Sequence, residues 1–215
     1  MAAPLPDVAR RLAVPAAGLL CVFLGLAAGL WVGPWLTTPR DDSAEAGFAR
    51  DMATHHAQAV DMAFSVRDNA GDEEVLTLAT DIIVTQSTQR GIFMGWLQQW
   101  GLPQASARPR MAWMPGHSHE IPASGGVLMH GMATDAEIQR LRDAHGVAAE
   151  ILFLQLMIRH HEGGILMARA LMDLTGRREV AQMAKSIDEG QRAEIAHMKT
   201  MLMARGAQPF RSLLE

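Results

Sequence analysis

Histidine and methionine recur in this chain in a pattern that could bind a metal ion. The block F-x3-M-x2-H-H-x5-M-A begins at Phe48 and again at Phe153, an offset of 105 residues (153 − 48). Imidazole and thioether are the side chains that bind soft or borderline metals without thiolate. The two copies therefore predict a metal site from the following candidate ligands: Met52, His55, His56, Met62, Met157, His160, His161 and Met167.

The composition restricts the possible chemistry. The 215 residues include 15 methionines and nine histidines but a single cysteine, Cys21. This count excludes an intramolecular disulfide and any cysteine-based zinc or iron–sulfur site. The net charge is −4, with 19 basic and 23 acidic residues. We expect no nucleic-acid partner, because the chain has no basic stripe for a phosphate backbone.

The repeat also predicts the fold. Each copy reads as two helices separated by a polar break, at 69–72 and at 175–177. Two such hairpins, 47–101 and 134–206, predict an all-α four-helix bundle. Between them lies an irregular crossover, 102–133, which is rich in proline, glycine and serine.

Both copies of the block are expected to face the interior. At 100° per residue their members fall on one helix face about 120° wide, which brings four imidazoles and four thioethers together. Methionine at helical spacing can simply fill a core. Paired, desolvated histidines are costly without a ligand, a proton network or a metal. The closing helix adds a second inward face: Gln191, Glu194, His197, Met198 and Met201.

The neighbours of the histidines favour copper. Di-iron bundles use Glu-x-x-His motifs, whereas here a methionine stands three residues before each first histidine. A soft thioether favours Cu(I), and by extension Ag(I), over iron or zinc. One Glu-x-x-His motif exists, Glu194 to His197, but its repeat mate begins with Gln89. We expect Glu162 and Glu194 to orient imidazole N–H groups.

The crossover carries a second set of sulfur and imidazole side chains. Their spacing is typical of no rigid site, so they are either incidental or a flexible tract that captures copper. His145 stands alone and is expected to be structural. The crossover set is Met111, Met114, His117, His119, Met129, His130 and Met132.

The N-terminal segment predicts a membrane anchor. Residues 12–36 carry no charge, and 25 helical residues can cross a hydrocarbon core of about 30 Å. Arg10 and Arg11 precede this segment, so residues 1–11 are expected to be cytoplasmic and the bundle extracytoplasmic. Residues 37–46 form a linker. A cleaved signal peptide that leaves a secreted protein is the alternative.

These motifs resemble the bacterial family called domain of unknown function 305. The resemblance covers about residues 44–209 and includes the two blocks, the closing segment QRAEIAHMKTML and the stretch Met129-His130-Gly131-Met132. It implies a ferritin-like bundle, usually exported or membrane-anchored, with some members that bind copper. Carried over to this chain, the implied ligands are Met52, His55, His56, Met62, Met157, His160, His161, Met167, Glu194 and Met198.

The sequence therefore predicts a non-catalytic, membrane-anchored, extracytoplasmic protein that sequesters or delivers Cu(I). Its partners would be the metal ion and a protein that donates or accepts copper. Two other classes stay open at this point. One is a ferritin-like redox enzyme that uses copper or iron, and the other is a structural or partner-binding module without metal.

Overall fold

A computed structural model describes residues 18–27, 38–116 and 129–214, and these residues are helical or irregular with no strand among them. The chain divides into two compact units, Met1–Thr38 and Pro39–Glu215. The described residues of the second unit form five helices: α1 (Ala44–Asn69), α2 (Glu73–Gln99), α3 (Asp135–Asp143), α4 (Gly146–Leu174) and α5 (Arg178–Ala204).

The first unit includes the predicted membrane segment, 12–36. Of that segment the structure describes residues 18–27, which are helical with exposed side chains, including Cys21. The rest of the segment lies outside the described residues. Within the ranges that the structure covers, no helix is both long enough and apolar enough to cross a membrane.

Side-chain caps set where the helices begin. The Ser43 hydroxyl accepts a hydrogen bond from the Ala46 N–H, and Asp72 caps α2 in the same way. Residues 44–46, predicted to be linker, are therefore the first turn of α1. Thr134 and Glu137 form a capping box that starts α3, a short helix that the sequence analysis did not predict.

The four long helices pack as two hairpins. Helix α1 packs closely against α2 and α4, and α4 packs closely against α5, whereas the backbones of α2 and α5 make no comparably close approach. Short α3 lies against α1 and α4. The prediction of an all-helical fold is confirmed. The described part of the crossover 102–133 contains no helix, as predicted.

Two equivalent carboxylates tie each hairpin to the turn of the other. Glu45 at the start of α1 accepts a hydrogen bond of 2.7 Å from the Thr175 hydroxyl. Its repeat mate Glu150 (45 + 105) accepts one of 3.1 Å from the Asp72 N–H and another of 2.8 Å from Nε of Arg205. The duplication is therefore visible in the tertiary contacts as well as in the sequence.

A buried aspartate fixes the first part of the crossover. Asp51 Oδ2 accepts hydrogen bonds from the Met111 N–H at 2.8 Å and from Nε1–H of Trp113 at 2.9 Å. Burial raises the pKa of Asp51, and these two hydrogen bonds oppose that rise. The Trp113 ring packs directly on Gly47, where any larger side chain would overlap it.

Candidate metal centre

The two histidine pairs meet at the centre of the bundle, on α1 and α4. All four imidazoles are fully buried, as the helical spacing predicts. The rings of His55 and His160 stack with their centroids 3.7 Å apart and their planes inclined by 31°. The centroids of His56 and His161 lie 6.4 Å from those of their sequence neighbours.

Residues on the second helix of each hairpin accept hydrogen bonds from His56 and His161. Nε2 of His56 lies 2.7 Å from Oε1 of Gln89, and Nε2 of His161 lies 2.5 Å from Oε2 of Glu194. These oxygens accept, so each Nε2 donates its proton. The repeat relates the two pairs (89 + 105 = 194), and the predicted role of Glu194 in orienting an imidazole is confirmed for His161.

A backbone carbonyl of the crossover accepts a hydrogen bond from His55. Nε2 of His55 lies 3.2 Å from the His130 carbonyl oxygen. This carbonyl rests on α4 at Gly163, where a Cβ atom would overlap it. The next residue, Gly131, has a φ of +77°, and a Cβ there would overlap the Arg159 carbonyl. The close approach of the crossover backbone to α4 therefore needs both Gly131 and Gly163.

Several imidazole nitrogens are left without a partner. Nδ1 of His55, His56 and His161 and both ring nitrogens of His160 are buried without a hydrogen bond to any described residue. Burial lowers the pKa of His55 and of His56 to about 3. Burial and the nearby His55 ring lower the pKa of His160 well below its ordinary value. At neutral pH these three rings are neutral and carry free lone pairs.

The methionines of the two blocks lie on both sides of the histidines. All four are fully buried. Met52 and Met167 belong to one hydrophobic cluster, whereas Met62 and Met157 belong to the other. Each cluster thus receives one thioether from each copy, because equivalent positions of the duplicated block lie at opposite ends.

The polar ligands do not form a complete site by themselves. In the described part of the chain, no three side chains of histidine, cysteine, aspartate and glutamate come together as a group able to hold a metal ion. A site built here would therefore need the neighbouring thioethers as well as imidazole. This is the ligand mixture of a soft ion.

Two predicted positions, His197 and Glu162, need correction. The prediction that His197 faces the interior is wrong. Its side chain lies on the outer side of α5, is 47% exposed, and has its Nε2 atom 3.7 Å from Oε1 of Glu74. The predicted role of Glu162 is also wrong, because Glu162 bonds to no imidazole in the part of the chain that the structure describes. It accepts hydrogen bonds from the Ser212 hydroxyl at 2.9 Å and from the Leu213 N–H at 2.8 Å, so it holds the C-terminal segment.

The remaining methionines predicted as ligands are core or half-buried residues. Met198 is fully buried in the cluster that contains Met62 and Met157. Four methionines of the crossover pack on the cluster that contains Met52 and Met167: Met111, Met114, Met129 and Met132. His117 and His119 lie outside the described residues.

Sequence reasoning missed the role of Gln89. It treated this residue only as the place where the first copy lacks a carboxylate. In the structure, Gln89 provides the hydrogen bond that Glu194 provides in the second copy. The signal was present, since an amide oxygen at the equivalent repeat position can accept the same proton.

The fold and the buried histidines together define a class: duplicated all-helical bundles with a histidine-rich core. Residues 45–202 match the family described as Domain of unknown function (DUF305), and the chain belongs to that family. A comparison with curated proteins finds no match.

Solved structures of the same family share this fold. A DUF305 protein from Streptomyces coelicolor is 44% identical, with a TM-score of 0.73, and the match covers 80% of this chain and 99% of that one. A DUF305 fragment from Deinococcus radiodurans is 33% identical, with a TM-score of 0.62, over 75% of this chain and 96% of that one.

The chain is also similar to the protein CopM, solved in metal-bound forms. The Cu(I)-bound form is 26% identical with a TM-score of 0.56, and the match covers 75% of this chain and 96% of that one. The Cu(II)-bound form is 30% identical with a TM-score of 0.57, over 75% and 97% of the two chains.

Proposed function

We propose that this protein binds Cu(I) as cargo at the central histidines and holds it for sequestration or delivery. One observation carries the proposal: His55, His56 and His161 each donate Nε2–H to an oxygen while Nδ1 is buried without a partner. Histidines that ligate metals have this arrangement, since a hydrogen bond from one ring nitrogen fixes the tautomer and leaves the other free to bind.

The surroundings favour a soft monovalent ion. The buried sulfur around the histidines is thioether, from Met52, Met62, Met157 and Met167, and thioether selects Cu(I). Glu194 supplies one negative charge beside His161, which would balance one monovalent cation. The similarity to CopM, which has been solved with Cu(I), Cu(II) and silver, supports the same class of ion.

We also propose that residues 12–36 anchor the bundle on the extracytoplasmic side of a membrane. The support is the absence of charge across these 25 residues and the arginines that precede them. In untreated cells the bundle should sediment with the membrane fraction. Protease added to intact cells, after permeabilisation of any outer barrier, should digest it. A bundle released in soluble form would instead indicate that the segment is cleaved.

Anaerobic titration of the full chain with Cu(I), in competition with a chromophoric chelator, tests the metal proposal. We expect tight binding that is lost when all four central histidines are replaced by alanine. The matched control replaces His145 and His197, which lie outside the central group, and should bind like the wild type. Wild-type affinity in the fourfold variant would overturn the site.

A further inference from the structure

A polar cavity lies where the bundle is least tightly closed. Helices α2 and α5 lack the close backbone approach of the other neighbouring pairs. Between them is a cavity of about 30 Å³. A water molecule needs about 10–15 Å³ of such space, so the cavity has room for a water molecule or a dehydrated ion.

The cavity is lined by two repeat-related pairs of long polar side chains. Gln86 and Gln191 form one pair, and Gln89 and Glu194 form the other. The amides of Gln86 and Gln191 are more than nine-tenths buried, and neither amide has a hydrogen-bond partner among the described residues. Four buried polar atoms without partners, beside a cavity, indicate a site that takes water or an ion.

The cavity lies between the solvent and the central histidines. Its rim includes Thr85, Ser186 and Gly190, which are exposed. Its walls include Gln89 and Glu194, whose other contacts are with Nε2 of His56 and of His161. One layer of side chains therefore separates the cavity from two otherwise fully buried imidazoles.

The neighbouring helix makes room for this arrangement. Gly164 on α4 stands where any Cβ atom would overlap Oε1 of Gln191. The equivalent residue of the first copy is Ala59 (164 − 105). The glycine therefore accommodates an amide that makes no hydrogen bond, which a core selected for packing alone would replace with an apolar side chain.

We propose that this cavity is a transient binding site for a monovalent cation, through which Cu(I) reaches and leaves the central histidines. The inference rests on the proposed copper function. Amide and carboxylate oxygens replace the water around the ion, and Glu194, 27% exposed, is the charged group of the lining. Hard oxygen donors hold Cu(I) weakly, so the ion passes on to imidazole and thioether.

Closing the mouth of the cavity tests the route without touching a ligand. Gly190 lies at the mouth of the cavity and inside α5, and a Cβ atom there meets nothing within 4 Å. Gly190→Leu therefore adds a bulky apolar side chain at the mouth without overlap and improves helix propensity. Gly95→Leu is the matched control, because Gly95 is an open, exposed position inside α2 away from the cavity.

The measurement is stopped-flow uptake and chelator-driven release of Cu(I) by the full chain. We expect Gly190→Leu to slow both rates at least tenfold, with the equilibrium affinity within about twofold of the wild type and an equal or higher unfolding midpoint. Gly95→Leu should leave both rates unchanged. Unchanged rates in a Gly190→Leu protein that still binds Cu(I) would overturn the route alone. A wild-type chain that binds no Cu(I) would overturn the route together with the proposed function.

Discussion

Glu194 lies 2.5 Å from Nε2 of His161, at the position where the first copy of the repeat places Gln89 against His56. The two halves of the core thus keep one hydrogen-bond geometry but differ by one charge. Among the described residues, the four central histidines therefore have one hydrogen bond to a carboxylate, that of Glu194. At this pair of positions the two copies differ in charge and not in hydrogen-bond geometry.

Replacing Glu194 by glutamine gives both copies of the repeat the same residue at this position. Glu194→Gln keeps an acceptor for His161 but removes the charge that would balance a bound cation. We expect a 10- to 100-fold lower affinity for Cu(I), the usual effect of mutating the residue that orients a ligating histidine. Chelator competition measures this affinity. Glu189→Gln is the control, since Glu189 is exposed and pairs with the equally exposed Lys185 at 3.7 Å. Equal affinity of Glu194→Gln and wild type would contradict the role of this charge.

Replacing His160 tests whether this residue binds metal or only packs in the core. Both of its ring nitrogens are buried without a hydrogen-bond partner among the described residues. Their removal from water therefore costs the metal-free protein folding free energy. We expect His160→Leu to leave the free energy of unfolding unchanged or raise it by up to about 3 kcal/mol, while Cu(I) affinity falls. Urea denaturation and chelator competition measure the two effects. If His160 were a packing residue, the substitution would destabilise the protein and leave metal binding intact. His197→Leu, on the surface, should change neither.

The neutral histidines predict a loss of stability in mild acid. The pKa values of His55 and His56 are about 3 in the fold and about 6.5 in the unfolded chain, so the unfolded state binds more protons between these values. Their contribution is complete above about pH 6.5 and is lost as the pH falls toward 3, by about 1.4 kcal/mol per pH unit for each histidine.

Urea denaturation between pH 7 and pH 5 measures this dependence, because most carboxylates stay ionised in that window. His56→Leu should reduce the slope by the contribution of one histidine. A free energy of unfolding that stays constant from pH 7 to pH 5 would show that the buried imidazoles are not held neutral.

Gly163 tests the link between the crossover and the core. Gly163→Ala places a methyl group on the His130 carbonyl and must displace it from Nε2 of His55. We expect a loss of about 1–3 kcal/mol in the free energy of unfolding, together with weaker Cu(I) binding. Gly95→Ala, at an open helical position, should be neutral or stabilising. A stable Gly163→Ala variant with wild-type affinity would show that this contact does not support the site.

Helical periodicity and the 105-residue repeat were enough to predict the four long helices and the inward face of each block. Burial of Met52 and His55 follows directly from that spacing. Short α3 was missed because its nine residues carry a weak periodic signal, although Thr134 and Glu137 form a recognisable capping box. The fold was predictable where one pattern extends over many turns.

The site was predictable only in part, because helical spacing gives the face on which a residue lies but not its distance from residues of other helices. Nothing in the sequence says that His55 stacks on His160 or that the His130 carbonyl reaches Nε2 of His55. His197 was misplaced because a 3–4 pattern counted from Glu194 extends the inward face by one residue too many. Glu194 itself lies at the edge of that face, 27% exposed.

The most direct test of the central claim is a long-range ¹H–¹⁵N NMR spectrum of the full, ¹⁵N-histidine-labelled chain during titration with Ag(I), a redox-inert substitute for Cu(I). We predict that ring nitrogens of His55, His56, His160 and His161 shift, with Nδ1 of His55 and His56 losing its free lone-pair signature. His145 and His197 should not respond. A spectrum in which the central imidazoles stay unchanged while other histidines shift would contradict the account.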